Sequence, residues 1–143
     1  MISRLKAVNK NWRLSSAVGL EAERQPTPSL LLTEALGGGF PYGRFVLLWG
    51  TKAASKTSLC LGTIALAQKA GKVCAFVDAE KTFSEKWAQS LGVDTENLIV
   101  AVENTVAEAA NVVCEMMEVG VDLIVIDSIN ALMPRAQLQD SGE

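Results

Sequence analysis

The stretch WGTKAASKTS, residues 49–58, carries the spacing that most suggests chemistry. Gly50, four intervening residues, Ser55 and then Lys56-Thr57 approximate the phosphate-gripping pattern GxxxxGK followed by Ser or Thr, with a serine where the second glycine belongs. The mostly small run Gly50, Thr51, Lys52, Ala53, Ala54, Ser55 lets backbone N–H groups curl around a phosphate. A helix starting at Lys56 adds its positive end. In that reading Lys56 reaches the β and γ phosphates, Thr57 offers its hydroxyl to magnesium, and Ser58 closes the nucleotide-contacting run. The plainer alternative is a helix start with a chance Lys-Thr pair; the strand expected before the motif and the helix expected after it favour the nucleotide site. If position 55 needs positive φ, serine costs about 1–2 kcal/mol. That is bearable in a domain stable by about 5–15 kcal/mol.

Two further loops carry acids. Asp127 follows the four apolar residues of LIVI, where a carboxylate serves as magnesium partner in phosphate-loop proteins; its alternative is to cap the next turn. VDAE places Asp78 and Glu80 together, and Glu80 is able to polarise a water for attack on a γ phosphate. The alternative for Glu80 is an exposed loop acid.

These loops need elements to position them. Four continuous apolar runs, 45–49, 73–77, 98–102 and 123–126, read as strands buried on both faces of a parallel sheet. Between them, 56–70, 84–91 and 106–119 have helical spacing and stop before Gly71, Gly92 and Gly120. Thr105 and Glu108 form a capping box at the start of the third. SLLLTEALGGGFPYGR predicts a short helix and then a turn, and residues 1–28 form a lead-in segment. Strand and helix alternating at this interval give an α/β fold with right-handed crossovers, and ligands collect at the carboxyl ends of its strands.

Composition excludes other classes. The chain has 143 residues, 49% of them hydrophobic and 20% charged, which suits one compact domain. Its net charge of -3 provides no general positive field for nucleic acid or membrane. Arg4, Lys6, Lys10 and Arg13 are a local exception, either a solvated terminus or a contact surface. Without histidine, Ser-His and Cys-His nucleophiles and most zinc sites are ruled out. Cys60, Cys74 and Cys114 lie in apolar runs and are expected to be buried thiols of a reducing, cytoplasmic compartment. No run is long and apolar enough to predict a membrane span.

Taken together and in order, SLLLTEALGGGFPYGRFVLLWG, the loop at 50–57, GKVCAFVDAEKTF, LGVDTENLIV and LIVIDSINALMP resemble the ATPase core of RecA-type recombinases, from about Pro28 to Pro134. The resemblance implies a RecA-like P-loop NTPase fold, with a parallel sheet flanked by helices. It divides the chain into an N-terminal segment, 1–28, and the N-terminal part of the ATPase core, 29–143. It implies ATP and Mg2+ as cofactors, with Lys56 and Thr57 at the phosphates and metal, Asp127 as the second acidic motif and Glu80 as the water-activating carboxylate. Trp87 matches the family's adenine-facing aromatic, against the alternative of a core-facing tryptophan. The expected activity is ATP-dependent DNA recombination and repair through a filament on single-stranded DNA; Ile2, Leu5 and Val8 match a helix that docks on a neighbouring subunit. Alternatives within the fold are a non-hydrolysing nucleotide-binding regulator or filament partner, and a hexameric helicase-type ATPase. Ser55 and the basic start are similar to phage recombinases of the UvsX type. RecA-like cores continue past QLQDSGE with a strand that inserts between those bearing the loop and Asp127, so the chain is expected to be truncated or split, with a gap in its sheet.

Overall fold

A computed structural model describes residues 22–132. The elements run β1 (Arg24–Gln25), α1 (Leu30–Ala35), β2 (Phe40–Pro41), α2 (Lys56–Lys69), β3 (Cys74–Asp78), α3 (Glu85–Ser90), β4 (Leu98–Ala101), α4 (Val106–Glu118) and β5 (Leu123–Asp127), then a 3-10 turn at Ile129–Ala131. Strands β4, β3 and β5 form a parallel sheet in that order, with Cys74 opposite both Leu98 and Leu123. Strand β3 is central and wholly buried, which explains why it reads as a continuous apolar run. Cys74 and Phe76 face a cluster with Leu61, Ile64 and Ala65 of α2 and Ala88 of α3. Ala75 and Val77 face the opposite cluster, with Ala109 and Met116 of α4. Alternation along one strand therefore builds two cores, and the helices cover both faces of the sheet.

Each helix starts and stops for local reasons. The Ser29, Ser84 and Thr105 side chains accept N–H groups at the starts of α1, α3 and α4. At the end of α2, Gly71 adopts φ 78, its N–H donates to the Gln68 carbonyl, and the Lys72 N–H donates to the Ala67 carbonyl. That paired closure needs a left-handed residue, which glycine supplies without strain. The capping box at α4 differs in one detail: the Glu108 carboxylate accepts from the Thr105 hydroxyl at 2.7 Å rather than from a backbone N–H.

Strands β1 and β2 pair antiparallel and form a small hairpin-like lead. Pro28, between these two strands in sequence, packs so closely on α2 that a Cβ added at Gly62 would lie 2.9 Å from Pro28 Cγ. Lys72 pairs with Glu23 at 3.5 Å and lies over the Tyr42 ring, which ties this lead to the start of β3.

Two expectations need correction. Residues 45–49 do not form a strand: the segment is irregular, and Phe45, Leu47 and Trp49 are 94%, 73% and 87% exposed. A strand needs a neighbour for its N–H and C=O groups. Among the described residues β5 pairs with β3 alone, and 45–49 pairs with nothing. The cysteines are not uniformly buried either: Cys74 is, Cys60 is half-buried and Cys114 is exposed on α4. The segment with Ile2, Leu5 and Val8 lies outside the described residues.

Candidate nucleotide site

The loop before α2 turns on two left-handed residues, Ala53 at φ 62 and Ser55 at φ 57. Ser55 is thus in the conformation for which glycine is the usual choice, and serine bears the strain. Its side chain makes no capping bond, and no acid lies in the first turn of α2. The Lys56, Thr57 and Ser58 N–H groups, with that of Ser55, find no acceptor among the described residues; the first bonded amide of the helix is Leu59, to the Ser55 carbonyl at 3.0 Å. An open hollow of about 300 Å³ is lined by Ala53, Ala54, Ser55, Lys56, Thr57 and Ser58. Orphan donors at a helix start, next to a hollow and with no acid in the helix's own first turn, are a place for an anion.

Lys56 curls back over this loop, donating to the Gly50 carbonyl at 3.2 Å and the Thr51 carbonyl at 2.9 Å. Its ammonium therefore sits over the loop entrance, with neutral acceptors that a phosphate oxygen would outcompete. Lys52 is exposed beside it.

The second loop meets the first directly. Thr57 donates its hydroxyl proton to Asp127 Oδ2 at 2.5 Å, across 70 positions of sequence. A hydroxyl and a carboxylate held together form a hard-oxygen pair suited to Mg2+, which keeps most of its waters and takes few protein ligands. Among the described residues no cluster of three acidic or thiol groups offers a fuller cage. Asp127 also acts on Cys60, one turn into α2: burial, and then the Asp127 charge, push that thiol up to about 11.

The third loop is attached to the second. The Ala79 and Glu80 N–H groups donate to the Asp127 carbonyl at 2.9 and 3.3 Å, and Ser128 donates its hydroxyl proton to Glu80 Oε1 at 2.7 Å. Asp78 is buried, and its carboxylate accepts the N–H groups of Thr82 and Phe83, closing the loop that carries Glu80. The structure therefore joins Thr57, Asp127 and Glu80 through one chain of contacts, while the Lys56 ammonium stays on the Gly50 and Thr51 carbonyls. Trp87 is 48% exposed, and Ala88 takes the core position of α3, so the core-facing alternative for this tryptophan is not realised. Sequence reasoning gave Asp78 no role and overlooked Ser128. The available signal was their place beside strand-terminal acids, in VDAE and LIVIDS.

A parallel sheet covered by helices on both faces, with lysine, hydroxyl and carboxylate groups gathered at the carboxyl end, defines a RecA-like α/β protein. Residues 4–143 match the RecA N-terminal domain family, and the chain belongs to that family. Among curated relatives, "Protein RecA" of a Picosynechococcus species is 42% identical over 128 residues, covering 89% of this chain and 37% of that protein. "Protein RecA" of Brucella anthropi is 45% identical over 122 residues, 84% of this chain and 34% of the relative. That of Trichodesmium erythraeum is 40% identical over 147 residues, 97% of this chain and 41% of the relative. The chain thus spans well under half the length of these relatives. These relatives do not single out the phage branch, and family membership does not favour the helicase-type alternative.

Proposed function

We propose that this chain is the N-terminal part of an ATP-dependent DNA recombinase core that binds Mg-ATP and hydrolyses it in response to single-stranded DNA. The observation that carries the reading is the Thr57–Asp127 contact, which places a carboxylate beside a helix start whose amides have no acceptor among the described residues. In this account the 55–58 amides and Lys56 bind the phosphates, and Thr57 and Asp127 hold the cation. Trp87 lies against adenine. Mg2+, when bound, supplies charge neutralisation at the phosphates. Glu80 orients a water and takes its proton as that water attacks the terminal phosphorus.

The filament on DNA, assembly through residues 1–28 and the division at 28/29 are parts of the same proposal, as is a cytoplasmic location; among the described residues no helix is long and apolar enough to cross a membrane. Contact with DNA would be chiefly to phosphates and so salt-sensitive. A phage-type placement rests on Ser55 and the basic start alone.

An ATPase assay with and without single-stranded DNA tests the reading. DNA-stimulated turnover that is lost in Glu80→Gln, with ATP binding lost in Lys56→Ala, is the expected result. ATP affinity unchanged in Lys56→Ala rejects the site, and binding without turnover supports the non-hydrolysing regulator instead.

A further inference from the structure

The Glu80 side chain is exposed, and an exposed glutamate ordinarily samples several rotamers. Its backbone, by contrast, is held on both sides. The Ala79 and Glu80 amides are bonded to the Asp127 carbonyl, and the buried Asp78 carboxylate fastens the amides of Thr82 and Phe83. What remains to be set is where the carboxylate points, and the 2.7 Å bond from Ser128 sets it through Oε1 alone. A carboxylate has two acceptor oxygens, so Oε2 stays available to a water.

We propose that Ser128 is a positioning residue for Glu80: its hydroxyl anchors one carboxylate oxygen, so that the other is aimed to receive the proton of the attacking water. This rests on the hydrolytic reading above. In that step the water oxygen forms a bond to the terminal phosphorus, and the bond to the bridging oxygen breaks with its electron pair staying on the nucleoside diphosphate. The water proton passes to Glu80. Ser128 itself touches neither water nor phosphate.

The test uses the same chain with Mg-ATP and single-stranded DNA, comparing Ser128→Ala with Ser128→Thr. Ser128 lies at φ -126 and ψ 156, extended backbone that accepts a β-branched residue, so threonine keeps the hydroxyl without strain. The expected result for Ser128→Ala is a loss in kcat of about tenfold, the lower end for a charge-assisted hydrogen bond reached by water, with KM for ATP and the thermal midpoint unchanged. Ser128→Thr restores kcat. Unchanged kcat in Ser128→Ala, or a threonine variant as slow as the alanine one, overturns the inference. A starting chain that binds ATP with no turnover overturns the hydrolytic reading and this inference with it. Turnover abolished by Glu80→Gln but intact in Ser128→Ala overturns the inference alone.

Discussion

Replacing Ser55 by glycine stabilises the nucleotide-free protein. Ser55 stands at φ 57 and ψ 26, where a side chain crowds its own backbone at a cost of about 1–2 kcal/mol. Its hydroxyl makes no capping bond there, so removing it sacrifices none. Against the relief stands the greater freedom glycine gives the unfolded chain, about 0.5–1 kcal/mol. The balance favours Ser55→Gly by roughly 0.5–1 kcal/mol, or about 2–4 °C in Tm for a chain of this size. Urea unfolding without nucleotide should show a higher midpoint at unchanged slope, since the surface exposed on unfolding does not change. Ser55→Val provides the opposite control, because a β-branched residue at this φ is worse placed than serine. An equal or lower midpoint for Ser55→Gly, with the slope preserved, would refute the strained-loop account.

Two other outcomes follow from the helix starts and the thiols. Thr105 is buried, accepts the Glu108 N–H at 3.1 Å and donates to the Glu108 carboxylate at 2.7 Å. Thr105→Ala should therefore cost about 1–2 kcal/mol, while Thr105→Ser, which keeps the hydroxyl, should lose clearly less in thermal unfolding; equal losses contradict the capping role. Burial pushes the Cys60 and Cys74 thiols up from 9.0 to about 11, with the Asp127 charge aiding at Cys60 and that of Asp122 at Cys74. The folded state thus keeps protons that the unfolded chain releases first, so the contribution is whole below pH 9 and declines as pH climbs towards 11. Urea midpoints between pH 8 and 10.5 should fall less steeply in a Cys60→Ala, Cys74→Ala double variant; an identical slope rejects the assignment. Alkylation of the folded protein near pH 8 should label exposed Cys114 and spare the other two.

The helices were legible because their signals are local. Ser84, Thr105, Gly71 and Gly120 act on amides and carbonyls within a few positions, and the expected boundaries lie within one residue or so of those observed. Strands β3, β4 and β5 were legible as apolar runs between helices, but only β3 is buried on both faces as expected; β4 leaves Ile99 and Val100 exposed and β5 is half-buried. Phe45–Trp49 carries the same kind of run and still forms no strand. Hydropathy reports that a segment has apolar surface to hide, whereas a strand also requires a partner edge, and the partner is specified elsewhere in the chain. Composition around Cys114 misled in a similar way: α4 buries Ala109 and Met116, and Cys114 falls on the other side of the helix.

The site shows the same division between local and distant information. Lys56, Thr57 and the left-handed Ser55 were readable from one ten-residue stretch, because consecutive residues alone set the geometry of that loop. The bracing of Glu80 was not, although the sheet register determines it. Strand β3 pairs with β5 so that Asp78 lies opposite Asp127. One residue past the end of β5 is Ser128, and two residues beyond Asp78 is Glu80, so the two side chains leave the same edge of the sheet together. Asp78 and Asp127 are equivalent in register but not in use. Asp78 turns its carboxylate to the amides of its own loop, and Asp127 turns its carboxylate across to Thr57. One acid thereby shapes the loop that carries Glu80, while the other joins that loop to the N-terminal end of α2.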